Sequence, residues 1–333
     1  MRRSRYERWD SPKFLSGESY GTTRSAAVAE VLQDRHGMYL SGIVLVSSIL
    51  NFQTARFEVG NDLPYPLFLP TYTATAWYHG RLDEELSRDL RTTLSRAEAF
   101  ALGPYASALM KGDRLQGVER QQVVAELARL TGLSEEYVES TNLRPVIHKF
   151  CKELRRDERI TVGRLDSRFA GQDRDASGER GEYDPSMAAI RGPYTATMNA
   201  YVREELGYRS DLPYEILSGR VRPWDWGVEN RYLNVAERLR SAMTRNPALK
   251  VYVANGYYDL ATPYFATVYT FDHMDLAPAL KENVRMGFFE SGHMMYIHQP
   301  SLVGLKEQLD RFYEWATAAP GEPVPIPGGV RGR

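Results

Sequence analysis

The sequence predicts an α/β fold: a parallel sheet flanked by helices and interrupted by a long helical insertion. Three observations carry this. A short apolar run, Lys13-Phe14-Leu15, leads through Gly17-Glu18-Ser19-Tyr20-Gly21 into residues 22–32, whose alanines and spaced apolar residues read as a helix. Residues 41–48 form an apolar, β-branched run bounded by Gly and Ser, as suits a strand buried on both faces. Two more such runs, 249–254 and 284–289, return only after a long helical block.

Composition sets the outer limits. A chain of 333 residues can bury a large core, whether as two domains or as one domain with an insertion. Lys plus Arg (42) nearly cancel Asp plus Glu (43), so no global field favours nucleic acid or an anionic membrane. The single cysteine, Cys151, excludes an internal disulfide and a cysteine-based zinc site. No apolar run reaches the length of a membrane span. The basic start, Met1-Arg2-Arg3-Ser4-Arg5, runs into Tyr6-Glu7-Arg8-Trp9-Asp10 without an apolar core, so it reads as the tail of a surface helix and not as a signal peptide.

In chain order, residues 1–70 form the first part of the α/β core, ending in a stretch with Pro64, Pro66 and Pro70 where the strand–helix alternation stops. Residues 71–220 read as an inserted, mainly helical cap. Leu82, Leu86, Leu90, Leu94 and Ala97 are spaced for one long helix reaching Met110; a second runs near 118–130, and a third starts at Ser134 with acids in its first turn. Within the cap, Asp173, Asp175, Ser177, Gly178 and Asp184 fall at calcium-loop spacing, although Asp stands where Glu is usual and no helix precedes the loop; an ordinary solvated loop is the plainer reading. Residues 221–318 resume the core, with a helix at 229–243 (Tyr232, Val235, Leu239 and Met243 on one face) and a last helix at 301–315 burying Leu302, Leu305, Leu309 and Phe312. The tail, 319–333, is rich in Pro and Gly and is predicted to be disordered.

The chemistry is predicted at the carboxyl ends of the strands, where a parallel sheet places its working loops. A Gly-x-Ser-x-Gly turn between strand and helix holds a serine hydroxyl out over the positive end of the helix. The turn is tight enough that the residues two before and two after the serine are expected to be small, which Gly17 and Gly21 satisfy. The strand at 249–254 runs into Asn255-Gly256-Tyr257-Tyr258-Asp259, and the strand at 284–289 into Glu290-Ser291-Gly292-His293. Asp259 could simply cap a turn and His293 could be a half-buried structural histidine. Among the six histidines, however, only His293 combines a strand end, a preceding glycine and a helix soon after. The order Ser, Asp, His is that of α/β-hydrolases.

Gly17-Glu18-Ser19-Tyr20-Gly21, Asn255-Gly256-Tyr257-Tyr258-Asp259-Leu260-Ala261-Thr262-Pro263 and Gly292-His293-Met294-Met295-Tyr296 together resemble the serine carboxypeptidase family, and Ser11-Pro12-Lys13-Phe14-Leu15 is similar to its bacterial branch. The resemblance spans essentially the whole chain. It implies an α/β-hydrolase with a helical cap that releases residues from peptide carboxyl termini through an acyl-enzyme, without a cofactor. Ser19 is then the nucleophile, His293 the general base and acid, and Asp259 the group that holds the His tautomer. The Tyr20 N–H supplies an oxyanion-hole donor. By the same resemblance Glu18 shares a proton with the substrate's terminal carboxylate, and Met294 lines the leaving-group pocket. The plain alternatives are a dipole-stabilised Glu at a helix start and a packing methionine. The partners implied are peptides with a free carboxyl terminus. An esterase or acyltransferase on the same triad and a non-catalytic module are the rival functions.

Family members usually work outside the cytoplasm, which points to a periplasmic or secreted protein. The family's fold lays down several strands before the nucleophile strand, yet here the serine arrives at position 19. The expectation is therefore a sheet lacking its front, a chain poorly soluble or inactive alone, and an upstream frame or partner that supplies the missing strands.

Overall fold

The computed structural model describes residues 7–319; the basic start at 1–5 and the tail beyond Ala319 lie outside them. The principal elements, in chain order, are β1 (Phe14–Glu18), α1 (Tyr20–His36), β2 (Gly42–Val46), α2 (Pro64–Tyr78), α3 (Leu90–Phe100), α4 (Gly117–Thr131), β3 (Ile160–Val162), β4 (Ala170–Gln172), α5 (Pro185–Ala200), α6 (Ala236–Arg245), β5 (Lys250–Gly256), α7 (Tyr264–Asp272), β6 (Val284–Phe289) and α8 (Gln299–Thr317).

Four strands pair in the order β1-β2-β5-β6, every pair parallel, so all four carboxyl ends lie along one edge. The two-residue period of a strand divides its side chains between the faces. Ile43, Leu45, Val251 and Val253 pack with Ala26 and Ala29 of α1 and Leu239 and Met243 of α6 on one face. Val44, Val46, Tyr252 and Ala254 pack with Leu305 and Phe312 of α8 on the other. Both faces are thus covered, which is why β2 reads as a continuous apolar run. Among the described strands β1 pairs only with β2 and forms the edge of the sheet. Its Phe14 ring is covered by Phe312 and Tyr313 of α8, centroids 6.2 and 4.8 Å away.

The proline-rich stretch is a helix, not a break. Pro64 stands at the first turn of α2, where the missing N–H has no helical partner to lose. Residues 64–76 are all buried, so the segment carries no amphipathic signature. It runs unbroken across position 70 as the axis of a helical core that includes Leu94, Leu127 and Phe150 and continues into Tyr257 and Tyr264. The single helix expected over 82–110 is divided. Asp83 accepts from the Leu86 N–H (2.9 Å) and Asp89 caps α3 by accepting from the Thr92 N–H (2.8 Å). These side-chain bonds stop one turn and start the next helix, while Leu86, Leu90, Leu94 and Ala97 all stay buried. Ser134 caps its helix as the sequence implies. The helix expected at 229–243 begins only at Ala236, leaving Tyr232 outside it. In α8, Leu302 is exposed while Leu305 and Phe312 are buried.

The loop with calcium-like spacing has a different physical basis. Asp173 pairs with Lys152 at 2.6 Å, both side chains nearly inaccessible (1% and 4%), which supplies the partner a buried ammonium needs. Asp175 bonds the Ser177 N–H, and Asp184 caps α5 by accepting from the Ser186 and Met187 N–H groups. The three carboxylates serve three separate places instead of one cage. Among the described residues no cluster of three His, Cys, Asp or Glu is arranged for a metal ion. Nor is any described helix long and apolar enough to cross a membrane.

Candidate functional site

The site begins at the end of β1. Ser19 has φ 55° and ψ −125°, a region costly for any residue with a Cβ. The conformation is held by the Ser19 N–H donating to Val46 O (3.0 Å) and by Ser19 O accepting from the Thr22 N–H (2.9 Å) and hydroxyl (2.6 Å). Gly17 is required by contact: a Cβ there would lie 2.2 Å from Gly21 O and 2.4 Å from Gly21 C. Gly21 is not required in the same way, because a Cβ on it would meet nothing within 4 Å. The expectation that both flanking positions must be small is therefore corrected; it holds at Gly17 alone. The Tyr20 N–H belongs to the first turn of α1, where no helical carbonyl exists to accept it.

Asp259 and His293 are joined directly. His293 Nδ1 and Asp259 Oδ2 are 2.8 Å apart, with the residues 5% and 0% exposed. A carboxylate accepts, so the proton of this bond sits on Nδ1 and leaves Nε2 as the lone-pair nitrogen of the neutral ring. The carboxylate also accepts from the Ala261 N–H (2.8 Å), the Thr262 N–H (3.0 Å) and the Thr262 hydroxyl (2.7 Å). Thr262 Oγ1 in turn lies 3.2 Å from His293 Nδ1.

Ser19 reaches this pair through the sheet. Val46 O accepts from the Ser19 N–H, and the next residue, Ser47, donates its buried hydroxyl to His293 O at 2.7 Å. Beside Ser19, Glu18 accepts the Tyr296 hydroxyl, 2.9 and 3.1 Å from its two oxygens. Among the described residues no hydrogen bond joins Ser19 Oγ to His293. Met294 is half-buried at the start of the turn Met295–Ile297, next to His293 in the chain. Tyr20 meets Trp224 and Trp226 edge-on, with centroids 5.4 and 5.8 Å apart, so two indoles flank the start of α1.

Four contributions were given no role from the sequence. Thr262 and Tyr296 stand within the quoted motifs and Ser47 at the end of a strand run, but a single hydroxyl has no periodicity that assigns it a partner. The fourth is residues 164–168, which run between the Asp and His loops. Leu260 N–H donates to Arg164 O (3.0 Å), His293 N–H to Leu165 O (2.6 Å), Gly292 N–H to Asp166 Oδ2 (3.1 Å) and Ser167 N–H to Tyr258 O (3.0 Å). A segment of the helical block thus ties together the loops after β5 and β6.

Burial pushes the His293 pKa down. The charge and hydrogen bond of Asp259, with the charge of Glu18, outweigh this and leave it above the ordinary value. A raised folded value means that the proton favours the fold: the contribution is complete below about pH 6.5 and is lost as pH rises through the folded value. The ring is therefore expected to titrate above about pH 6.5 when its Cε1–H resonance is followed by NMR. In Asp259→Asn, burial remains without the compensating charge, so the midpoint is expected to drop below that of the parent. An unchanged midpoint would show that Asp259 does not control the ring.

Family models, curated proteins and solved structures were all compared with this chain, and none matches it.

Proposed function

We propose that this chain carries a Ser19–His293–Asp259 triad of the α/β-hydrolase kind and acts as a serine-type carboxypeptidase. The observation that carries the reading is the buried 2.8 Å bond between His293 and Asp259 at the same sheet edge as Ser19, itself held at positive φ. These residues follow the fourth, third and first strands of the order β1-β2-β5-β6, which supports one shared site. Ser19 Oγ attacks the last peptide carbonyl while His293 Nε2 takes its proton. The Tyr20 N–H faces the oxyanion, and His293 returns the proton to the leaving amine. Water then repeats the sequence on the acyl-enzyme. Asp259, held by its bonds to the Ala261 and Thr262 N–H groups, keeps Nδ1 as donor and stabilises the imidazolium.

Glu18 supports the choice of carboxypeptidase over simple esterase. Two carboxylates in contact repel, and one proton shared between them turns repulsion into a strong hydrogen bond. Peptides with a free carboxyl terminus are therefore expected to bind more weakly as pH rises and the shared proton is lost. The matching peptide amide should show a flatter KM profile between about pH 5 and 8, because of the two ligands only the free acid carries a carboxylate there. Glu18→Gln keeps a neutral donor and should extend tight binding of the free acid to higher pH. Identical KM–pH profiles for acid and amide would remove carboxylate recognition and leave the esterase or acyltransferase reading.

A further inference from the structure

The turn that follows His293 returns to the other side of Ser19. Tyr296 stands in the short turn Met295–Ile297, and its hydroxyl lies 2.9 Å from one oxygen of Glu18 and 3.1 Å from the other. A hydroxyl in reach of both oxygens can share its one proton between them, which ties the end of the Glu18 side chain to the turn. We propose that Tyr296 is a positioning residue for carboxylate recognition, orienting Glu18 toward the terminal carboxylate of the peptide. This inference rests on the carboxypeptidase reading.

The physical argument has two parts. A site holding two carboxylates and one proton keeps a net negative charge, and a neutral donor beside it stabilises that charge without adding an ion that would pair with Glu18 outright. Burial first, then the neighbouring Glu18 charge, pushes the Tyr296 phenol well above its usual range, so it remains an O–H donor throughout the working pH interval. The other titratable groups within electrostatic reach are His293, on which Glu18 acts, and Tyr194 of α5, which acts on Tyr296. The turn that carries the base thus also carries the partner of the recognition group, three residues away. Ordering Glu18 and ordering His293 are then linked through one short segment of backbone.

The test uses binding, so that turnover does not enter. In a Ser19→Ala background, calorimetry measures the affinities of N-acetyl-Phe-Leu and its carboxyl-terminal amide at about pH 5.5. The free acid should bind more tightly than the amide, and adding Tyr296→Phe should reduce that preference roughly tenfold while the amide affinity stays the same, as expected for loss of a hydrogen bond to a charged group. In Ser19→Ala with Glu18→Ala, adding Tyr296→Phe should change nothing further, because the residue acts through Glu18. An unchanged acid preference in Tyr296→Phe overturns the inference and leaves the carboxypeptidase reading standing. So does an equal loss for acid and amide, which is what a merely structural tyrosine would give. If the Ser19→Ala parent itself shows no preference for the acid, carboxylate recognition fails and the role of Tyr296 fails with it.

Discussion

If Ser19, His293 and Asp259 form the proposed triad, Ser19→Ala and His293→Ala are each expected to lower kcat by about 10⁶, and the double variant by little more, because the members of a triad act as one unit. Asp259→Asn should cost about 10⁴. The reason is visible in the hydrogen bonds. Asp259 Oδ1 accepts from the Ala261 and Thr262 N–H groups, and an amide oxygen can keep those bonds. The amide nitrogen then faces His293 Nδ1 and donates to it, which moves the ring proton to Nε2 and removes the base. Single-turnover kinetics on an activated ester, with fluorophosphonate labelling of Ser19, would read all three variants. Activity within tenfold of the parent in either His293→Ala or Asp259→Asn would sink the assignment of roles. Thr262→Val should have a milder effect, since His293 keeps its own bond to Asp259.

The second large effect is expected at Gly17. An alanine Cβ would sit 2.2 Å from Gly21 O, a backbone atom that cannot turn aside as a side chain can. Relief would have to come from opening the turn, which also carries the Ser19 N–H bond to Val46 O. Gly17→Ala should therefore destabilise the protein by about 3 kcal/mol or more and abolish labelling of Ser19 in whatever fraction stays folded. Gly21→Ala is the internal control. Its Cβ would meet open space within α1, and replacing a helical glycine by alanine should be neutral or stabilising by up to about 1 kcal/mol. Thermal unfolding of the two variants decides the point. Similar melting temperatures would mean that the close approach of Gly17 and Gly21 does not hold the turn.

The legible parts of this protein are those with a short-range cause. Continuous apolar, β-branched runs announce the strands buried on both faces, and Ser134 announces a helix start through its bond to the Tyr137 N–H. Gly17-Glu18-Ser19-Tyr20-Gly21 announces a sharp turn, and the strand ends point to Asp259 and His293, because a parallel sheet gathers its carboxyl-end loops on one edge. Even here the three-dimensional path of the turn corrected the reading, since a clash only the folded turn contains makes Gly17 obligatory and leaves Gly21 free.

Tertiary structure decided what hydroxyls and carbonyls distant in sequence do together. Ser47 meets His293 from 246 residues away, Tyr296 meets Glu18 from 278, and Asp166 meets Gly292 from 126. A lone hydroxyl has no period and no fixed partner, so its role exists only once sheet order and loop path bring an acceptor to it. Helix α2 was obscured for the opposite reason. Its proline-rich residues are buried on every side, so the amphipathic period that marks a surface helix is absent, and only the packing around it makes it helical. Local propensity therefore settled where chain direction changes and which side chains stand at the sheet's edge. The relative placement of those side chains came from contacts that form only when β1, β2, β5 and β6 lie side by side.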